Sequence, residues 1–346
     1  MLVKIKSRIE KELAGYIRSL DKQFSLNAVS PVLFGSIKEF LCRKGKRVRP
    51  TLFVLGYLGF TQKTAPGLYR SAISLELLHD FMLVHDDIID KSDTRRGQPS
   101  MHRMLNNYLA KKGKIKFDGE DLTIVAGDVM FAMALHAFLA IKEEKSRKEA
   151  ALKKLIAAAL YTGSGEFLEL LSGTVKIEHT KKEQIYRIYD LKTANYTFAS
   201  PLAIGATLAG ADKRQTDILY KYGICLGRAF QIKDDIIGIF GSESETGKSN
   251  LTDLQEGKRT LLIWQAYRKS GRKDKLTIKQ ILSERNVGPQ DLFTMRRIIA
   301  GSRALDYAKK EVEDLIRTAQ RTIQKSRMRP RYKKSLDRYI RGILDL

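Results

Sequence analysis

The sequence predicts an all-α protein, a single large helical bundle, and three observations carry that expectation. Apolar residues recur at helical spacing along most of the 346 residues, as in Leu75, Leu78, Met82 and Ile89. Proline is scarce, seven in all, and falls where one helical run gives way to the next. The only strand-like alternation, Thr174–Glu178, is too short to build a sheet. With no Ser/Gly-rich linker, low-complexity tract or internal repeat, one domain over 1–346 is the simplest organisation.

The elements follow in order. Ser30-Pro31 opens a helix that runs toward Cys42, and Arg49-Pro50 opens the next, TLFVLGYLGF. Pro66 opens a long helix that continues to about Asp90, and Gln98-Pro99 then breaks the chain and starts another. Residues 111–121 read as a polar loop. Leu122 to Ile141 approaches the composition of a membrane span, but Asp128 and His136 interrupt it. Ionisable groups are rare inside bilayers, so a buried helix is expected and no transmembrane segment. Residues 146–210 supply two long helical runs, the second kinked near Pro201; 213–240 form one helix and 257–346 several amphipathic ones.

The formal charge is +24, from 63 basic and 39 acidic side chains. Basic residues cluster at 111–116, 142–154, 268–279 and 321–334, without the interleaved aromatics or binding module that nucleic acid would require. Solvated helix faces explain them first, and peripheral contact with anionic lipid is the further use they suit. Cys42 and Cys225 show neither metal nor disulfide spacing, and the N-terminus lacks a signal-peptide core; a cytoplasmic location is expected.

Chemistry concentrates in LELLHDFMLVHDDIIDKSDTRRGQPSMHR, residues 75–103. On a helix Asp86 and Asp90 share a face, their Cβ atoms roughly 5–6 Å apart. Carboxylates so close repel, and a hard cation such as Mg²⁺ removes the penalty while keeping sites for phosphate oxygen. A second acidic pair, Asp234-Asp235, interrupts another apolar run, where it is costly unless paired or metal-bound. Arg95 and Arg96 follow the first cluster, and GKRVRP (45–50) is a dense cationic segment at a helix start. Metal-holding carboxylates with several separate basic groups suit two multiply charged phosphate ligands.

Six motifs in this order, GKRVRP (45–50), HDDIIDKSDTRRGQPSMH (85–102), AGDVMFA (126–132), Lys192-Thr193-Ala194, FQIKDDIIG (230–238) and DLQEGKRT (253–260), resemble the trans-isoprenyl diphosphate synthases. The resemblance runs from about residue 28 to the C-terminus. It implies a helical fold of the isoprenoid synthase type around a deep central cavity, usually a homodimer, that condenses isopentenyl diphosphate head-to-tail with an allylic diphosphate. It implies three Mg²⁺ ions held by Asp86, Asp90 and Asp234, with Asp87 and Asp235 in support. Arg95, Lys192 and Lys258 match the contacts to the allylic diphosphate; ordinary surface charge is the alternative, strongest for Lys258. Lys46, Arg49, His79 and Arg96 match the isopentenyl diphosphate site, and the seven-residue step from His79 to Asp86 keeps both on a similar helix face. Thr193 and Gln231 match neutral dipoles near the developing cation.

The chain departs from the fuller family pattern at Gly238, where many relatives carry a third Asp, and at Glu166 and Glu169, which replace a Gln and an Asp. No role is assigned to these two or to His85. Met82 and Phe81, four and five residues before Asp86, lie just over one turn away along the helix. That arrangement resembles archaeal-type geranylgeranyl diphosphate synthases, with Phe81 as the floor of the product tunnel, so a twenty-carbon product is expected. The alternatives are a core role for Phe81 with farnesyl or longer products, a terpene cyclase, against which GKRVRP argues, and a noncatalytic partner subunit.

Overall fold

The computed structural model describes residues 1–241, 250–284 and 286–344. Helices dominate, as the periodicity requires, and they form two compact units, Met1–Leu155 with Ile204–Ala211 and Ile156–Ala203 with Asp212–Leu346.

The first unit begins with α1 (Leu2–Phe24), whose Ile5, Ile9, Leu13, Tyr16, Ile17 and Leu20 recur at helical spacing and are all buried. α2 (Pro31–Cys42) starts at the predicted signal: Ser30 Oγ accepts from the Leu33 N–H at 3.3 Å, and Pro31 takes a first-turn position where its missing N–H costs nothing. α3 (Val48–Leu58) begins two residues before Pro50, because the first turn tolerates proline for the same reason. The long helix expected from Pro66 is two, α4 (Leu68–Ala72) and α5 (Ser74–Ile89), parted at Ile73.

Periodicity predicts no strand after α5, yet Thr94–Arg95 (β1) pairs antiparallel with Gln98–Pro99 (β2). The two linking residues, Arg96 and Gly97, both have positive φ, 55° and 72°, as the tightest hairpin turn demands. Arg43 pins the hairpin by donating to the carbonyls of Arg95 at 3.1 Å and Pro99 at 2.8 Å. α6 (Met101–Leu109) follows, and the expected polar loop ends at Asp118, which caps α7 (Gly119–Phe138) reciprocally with Asp121. α7 is long and apolar enough to cross a membrane by length and composition. One of its faces buries Met130, Met133, Ala134, Ala137 and Phe138, while Ile124 and Val125 are exposed.

The second unit takes the chain from within α8 (Lys145–Ser172). It holds α9 (Lys182–Tyr189), a π-helical segment (Asp190–Ala199) and the start of α10 (Ser200–Leu208). Pro201, near which a kink is expected, sits in the first turn of α10, directly after the π-helical segment. α11 (Lys213–Phe240) packs against the π-helical segment and against α15 (Ala304–Gln324). Around it α12 (Leu261–Lys269), α13 (Arg272–Ser283) and α14 (Pro289–Gly301) contribute Leu261, Ile263, Ile281, Met295 and Ile299 to one core. α16 (Pro330–Leu344) buries Tyr332, Leu336, Ile340 and Leu344 and turns its basic residues outward.

Arg47 is the largest fully buried side chain. Its Nε donates to Glu10 of α1 at 2.9 Å, Nη1 to Glu76 of α5 at 2.7 Å, and Nη2 to the carbonyls of Leu41 and Arg43 at 3.1 and 2.8 Å. It thereby fixes the GKRVRP segment between α2 and α3. Removing one partner of a buried pair strands the other charge, a loss of about 3–5 kcal/mol. Arg47→Met is expected to lower the unfolding free energy by that amount in denaturant titration, because Glu76 stays buried without its guanidinium.

Candidate active site

In the first unit the site is organised by α5. Its apolar face is core, so any acid on that side needs a cation, and three buried acids each have one. Glu76 accepts from Arg47 at 2.7 Å, Asp80 from Arg96 at 2.9 Å and Asp87 from Arg95 at 2.7 Å. Arg96 also lies 3.6 Å from Glu76, and Arg95 3.6 Å from Asp86. Burial pushes the Asp80 carboxyl up to about 7 against the opposing pull of Arg96, with Glu76 adding to the rise. Burial likewise holds His79 well below its ordinary range, helped by Arg49, Arg96 and Arg95, so its imidazole is neutral. Asp86 and Asp90, at the C-terminal end of α5, are half-buried; Lys46 is exposed and Arg49 half-buried.

One turn into the helix from Asp86, the Phe81 ring stands 4.9 Å from the His85 ring, with Met82 beside it in the chain, both half-buried.

In the second unit the site is built on the π-helical segment. Its wide turns place Lys192 and Thr193 between neighbouring helices. Glycine permits the approach: a Cβ at Gly165 of α8 would lie 2.6 Å from Lys192 N, and one at Gly227 of α11 2.2 Å from Ala194 Cα. Lys192 Nζ is 2.6 Å from Glu166 and also pairs with Glu169, which gives these two acids the role that sequence left open. Thr193 Oγ1 donates to Gln231 Oε1 at 2.6 Å, and Gln231 Nε2 donates to Asp235 at 3.0 Å. Tyr189 also donates to Asp235 and is itself bonded by the Leu261 N–H at 2.9 Å. Burial pushes Asp235 up to about 8, and the carboxylates of Asp253 and Asp234 add to the rise against the Tyr189 and Gln231 hydrogen bonds. Lys258 lies between Glu256 at 2.6 Å and Asp253 at 3.2 Å, paired with two acids of its own motif.

At position 238 of the second aspartate motif, a Cβ would stand 2.4 Å from Asp253 Oδ2, so the carboxylate of DLQEGKRT lies against this glycine and would have to shift to admit a third aspartate.

Sequence reasoning missed Arg47, Glu76, Asp80, Tyr189 and Asp253. Glu76 and Asp80 carried a usable signal, two acids four apart in an apolar helix, the same spacing as Asp86 and Asp90. Tyr189 carried none, since its partners are distant in sequence, whereas Asp253 lies in DLQEGKRT, five residues before its partner Lys258.

A family model described as Polyprenyl synthetase matches residues 30–299. The chain belongs to the polyprenyl synthetase family. It is 33% identical over 286 residues to a geranylfarnesyl diphosphate synthase of Aeropyrum pernix, covering 80% of this chain and 82% of the relative. It is 32% identical over 268 residues to a geranylgeranyl diphosphate synthase of Saccharolobus solfataricus, covering 76% and 75%. The fold matches the crystal structure of a Corynebacterium glutamicum geranylgeranyl pyrophosphate synthase, complexed with isoprenyl diphosphate and magnesium. That match has a TM-score of 0.91 at 24% identity, over 100% of this chain and 99% of the other. The protein is a magnesium-dependent polyprenyl diphosphate synthase, a prenyltransferase acting on isopentenyl and allylic diphosphates. The residues fit the metal: Asp86 and Asp90 offer only oxygen donors, the set a hard cation takes.

Because the Asp253 carboxylate lies against position 238, restoring the missing aspartate should not improve the synthase. Gly238→Asp is expected to lower turnover at saturating Mg²⁺ by roughly tenfold, about 1.4 kcal/mol, by crowding two carboxylates; a rise in kcat would show the space to be open.

Proposed function

We propose that this synthase makes geranylgeranyl diphosphate. The observation that carries the reading is the position of Phe81, five residues before Asp86 on one helix, roughly 7.5 Å along its axis. A ring at that depth limits how far a prenyl chain extends from the carboxylates, with Met82 beside it. The geranylgeranyl diphosphate synthase of Saccharolobus solfataricus supports this length, and the geranylfarnesyl diphosphate synthase of Aeropyrum pernix favours a second reading of twenty-five carbons.

In this reading the C–O bond of the allylic diphosphate breaks, the pair leaving with pyrophosphate. The double bond of isopentenyl diphosphate attacks the allylic cation, and the resulting cation loses a proton to pyrophosphate. Arg95, Lys192 and Lys258 bind the allylic diphosphate. Lys46, Arg49, His79 and Arg96 bind isopentenyl diphosphate, where a neutral His79 donates a hydrogen bond and brings no added charge. Asp86, Asp90 and Asp234 would hold three Mg²⁺ ions, which when bound would supply charge stabilisation for the departing pyrophosphate. Thr193 and Gln231 present neutral oxygen dipoles, which cannot trap the cation as a free carboxylate would.

The reading treats 1–346 as one catalytic domain, in keeping with a family match that runs through both units. It includes a homodimer. An apolar stripe on α8, Ile156, Leu160, Phe167 and Leu171, is 42, 66, 65 and 50% exposed and recurs along a single helix face, a surface suited to a second copy. It also includes a cytoplasmic location, consistent with two free cysteines, and no nucleic-acid partner. Peripheral contact with anionic lipid is supported by an open cleft where Lys213, Arg214, Lys221 and Lys325 outnumber the single acid Asp217, with Ile218 beside them.

Purified protein with Mg²⁺, labelled isopentenyl diphosphate and each allylic primer in turn is expected to give a twenty-carbon diphosphate as main product, read by chromatography against standards. A twenty-five-carbon product selects the second reading, and no elongation with any primer rejects both. Lys46→Ala and Arg49→Ala should raise KM for isopentenyl diphosphate about ten- to hundredfold, roughly 1.5–3 kcal/mol, with a smaller rise for the primer. Equal rises would reassign those cations.

A further inference from the structure

α8 ends at Ser172, and its last two turns carry Glu166 and Glu169. Three residues apart on a helix, the two acids share one face. The C-terminal end of a helix presents unsatisfied carbonyls and favours cations, so two carboxylates there need a positive partner. Lys192 supplies it from the π-helical segment. Its Nζ lies 2.6 Å from Glu166 Oε2 and also bonds Glu169 Oε2. The backbone is built for this approach. A Cβ at Gly165 would fall 2.6 Å from Lys192 N and 2.8 Å from Leu191 Cβ, so the glycine beside Glu166 is what lets α8 come this close.

The side chains of Glu166, Glu169 and Lys192 are 18, 19 and 22% exposed, so water and salt screen them only in part. Two carboxylates and one ammonium leave one negative charge among the three. A neutral Gln at 166, the residue that the resembled family carries there, would leave none, whereas Glu169 stands in for another acid. The added charge of this chain therefore comes from Glu166, and it falls on the ammonium assigned to the allylic diphosphate. Lysine has three donors, and these acids engage two of them. A bare diphosphate must compete with both carboxylates for Lys192 and meets their repulsion as it does so. A diphosphate carrying Mg²⁺ arrives with its charge largely offset, and carboxylate oxygen attracts a hard cation. The same acids oppose the first ligand and accept the second.

We propose that Glu166 makes the Lys192 site selective for metal-loaded over bare allylic diphosphate. This rests on the reading of Lys192 as a contact to that diphosphate. The selection serves the reaction. A bare allylic diphosphate lacks the metal stabilisation of its leaving group, so in this site it is an unproductive occupant. Glu166→Gln keeps the shape of the side chain and an oxygen able to accept from Lys192, and removes only the charge.

The test measures binding and not turnover. An allylic thiolodiphosphate, with sulfur in place of the bridging oxygen to slow ionisation, is titrated by calorimetry into the full-length enzyme, once in EDTA and once in saturating Mg²⁺. In EDTA, Glu166→Gln is expected to bind it at least about tenfold more tightly than the parent, about 1.4 kcal/mol, and in Mg²⁺ to match the parent within about threefold. Glu178→Gln removes an acid that pairs instead with Lys279, changes the net charge equally, and should keep both parental affinities. Lys192→Ala should weaken binding in Mg²⁺ by about tenfold or more, the loss of a charge-assisted contact. Thermal melting establishes that each variant is folded. Equal affinities of parent and Glu166→Gln in EDTA, the same gain with and without Mg²⁺, or an equal gain in Glu178→Gln overturns the selectivity role. A loss in Lys192→Ala then still leaves Lys192 as a contact. If Lys192→Ala binds the loaded ligand as the parent does, the contact reading fails and takes this inference with it.

Discussion

The structure depends on matching buried carboxylates with guanidinium groups along a single apolar helix. Glu76, Asp80 and Asp87 are 2, 0 and 0% exposed on α5, and each receives a hydrogen bond from an arginine supplied by another segment. An unpaired ionised carboxylate in such surroundings would cost several kcal/mol or lose its charge. The need for three cations explains otherwise separate features: why GKRVRP carries an arginine that never reaches solvent, and why a hairpin with two positive-φ residues follows α5. It also explains why Arg43 is spent on pinning that hairpin. Beyond the three buried acids, the half-buried Asp86 and Asp90 lie at the helix end.

The second unit solves a different problem. Its cationic and dipolar groups, Lys192 and Thr193, sit on a π-helical segment whose energetic disadvantage is offset by packing. Gly165 and Gly227 let flanking helices approach its backbone, and the Thr193–Gln231–Asp235–Tyr189 chain of hydrogen bonds ties it to α11 and to the start of α12. In such a network each member fixes the orientation of the next. The chain holds the Gln231 amide in one orientation, which is what a neutral dipole must have if it is to act on a developing charge. The same unit shows how a motif can vary without leaving a void, since Asp253 fills the space beside Gly238.

Much of this was legible in the residues. Periodicity marked the helices, because an apolar stripe every three to four residues can be buried only on a helix. The Ser30-Pro31 start was legible because a cap and a first-turn proline act locally. The carboxylate pairs stood out because acids are rare in apolar runs. What periodicity missed was also local in appearance but not in cause: the division of the expected long helix at Ile73, the π-helical turns before Pro201, and the β1–β2 hairpin. Each is imposed by packing against elements distant in the chain.

By itself, then, the sequence determined the helical class, the order of the motifs and the family, since all of these follow from residue type and short-range spacing. Only the tertiary structure decided which charges are spent internally. Arg47 and Arg49 are two residues apart in one motif, yet Arg47 is locked among Glu10, Glu76 and two carbonyls, a role no local pattern distinguishes. It also decided that Glu166 and Glu169 converge on Lys192 and that Phe131 meets Phe81. These pairings join residues 23 to 50 positions apart. Whether such side chains meet depends on helix register and crossing, which are set by the packing of whole faces and not by the residues that happen to touch.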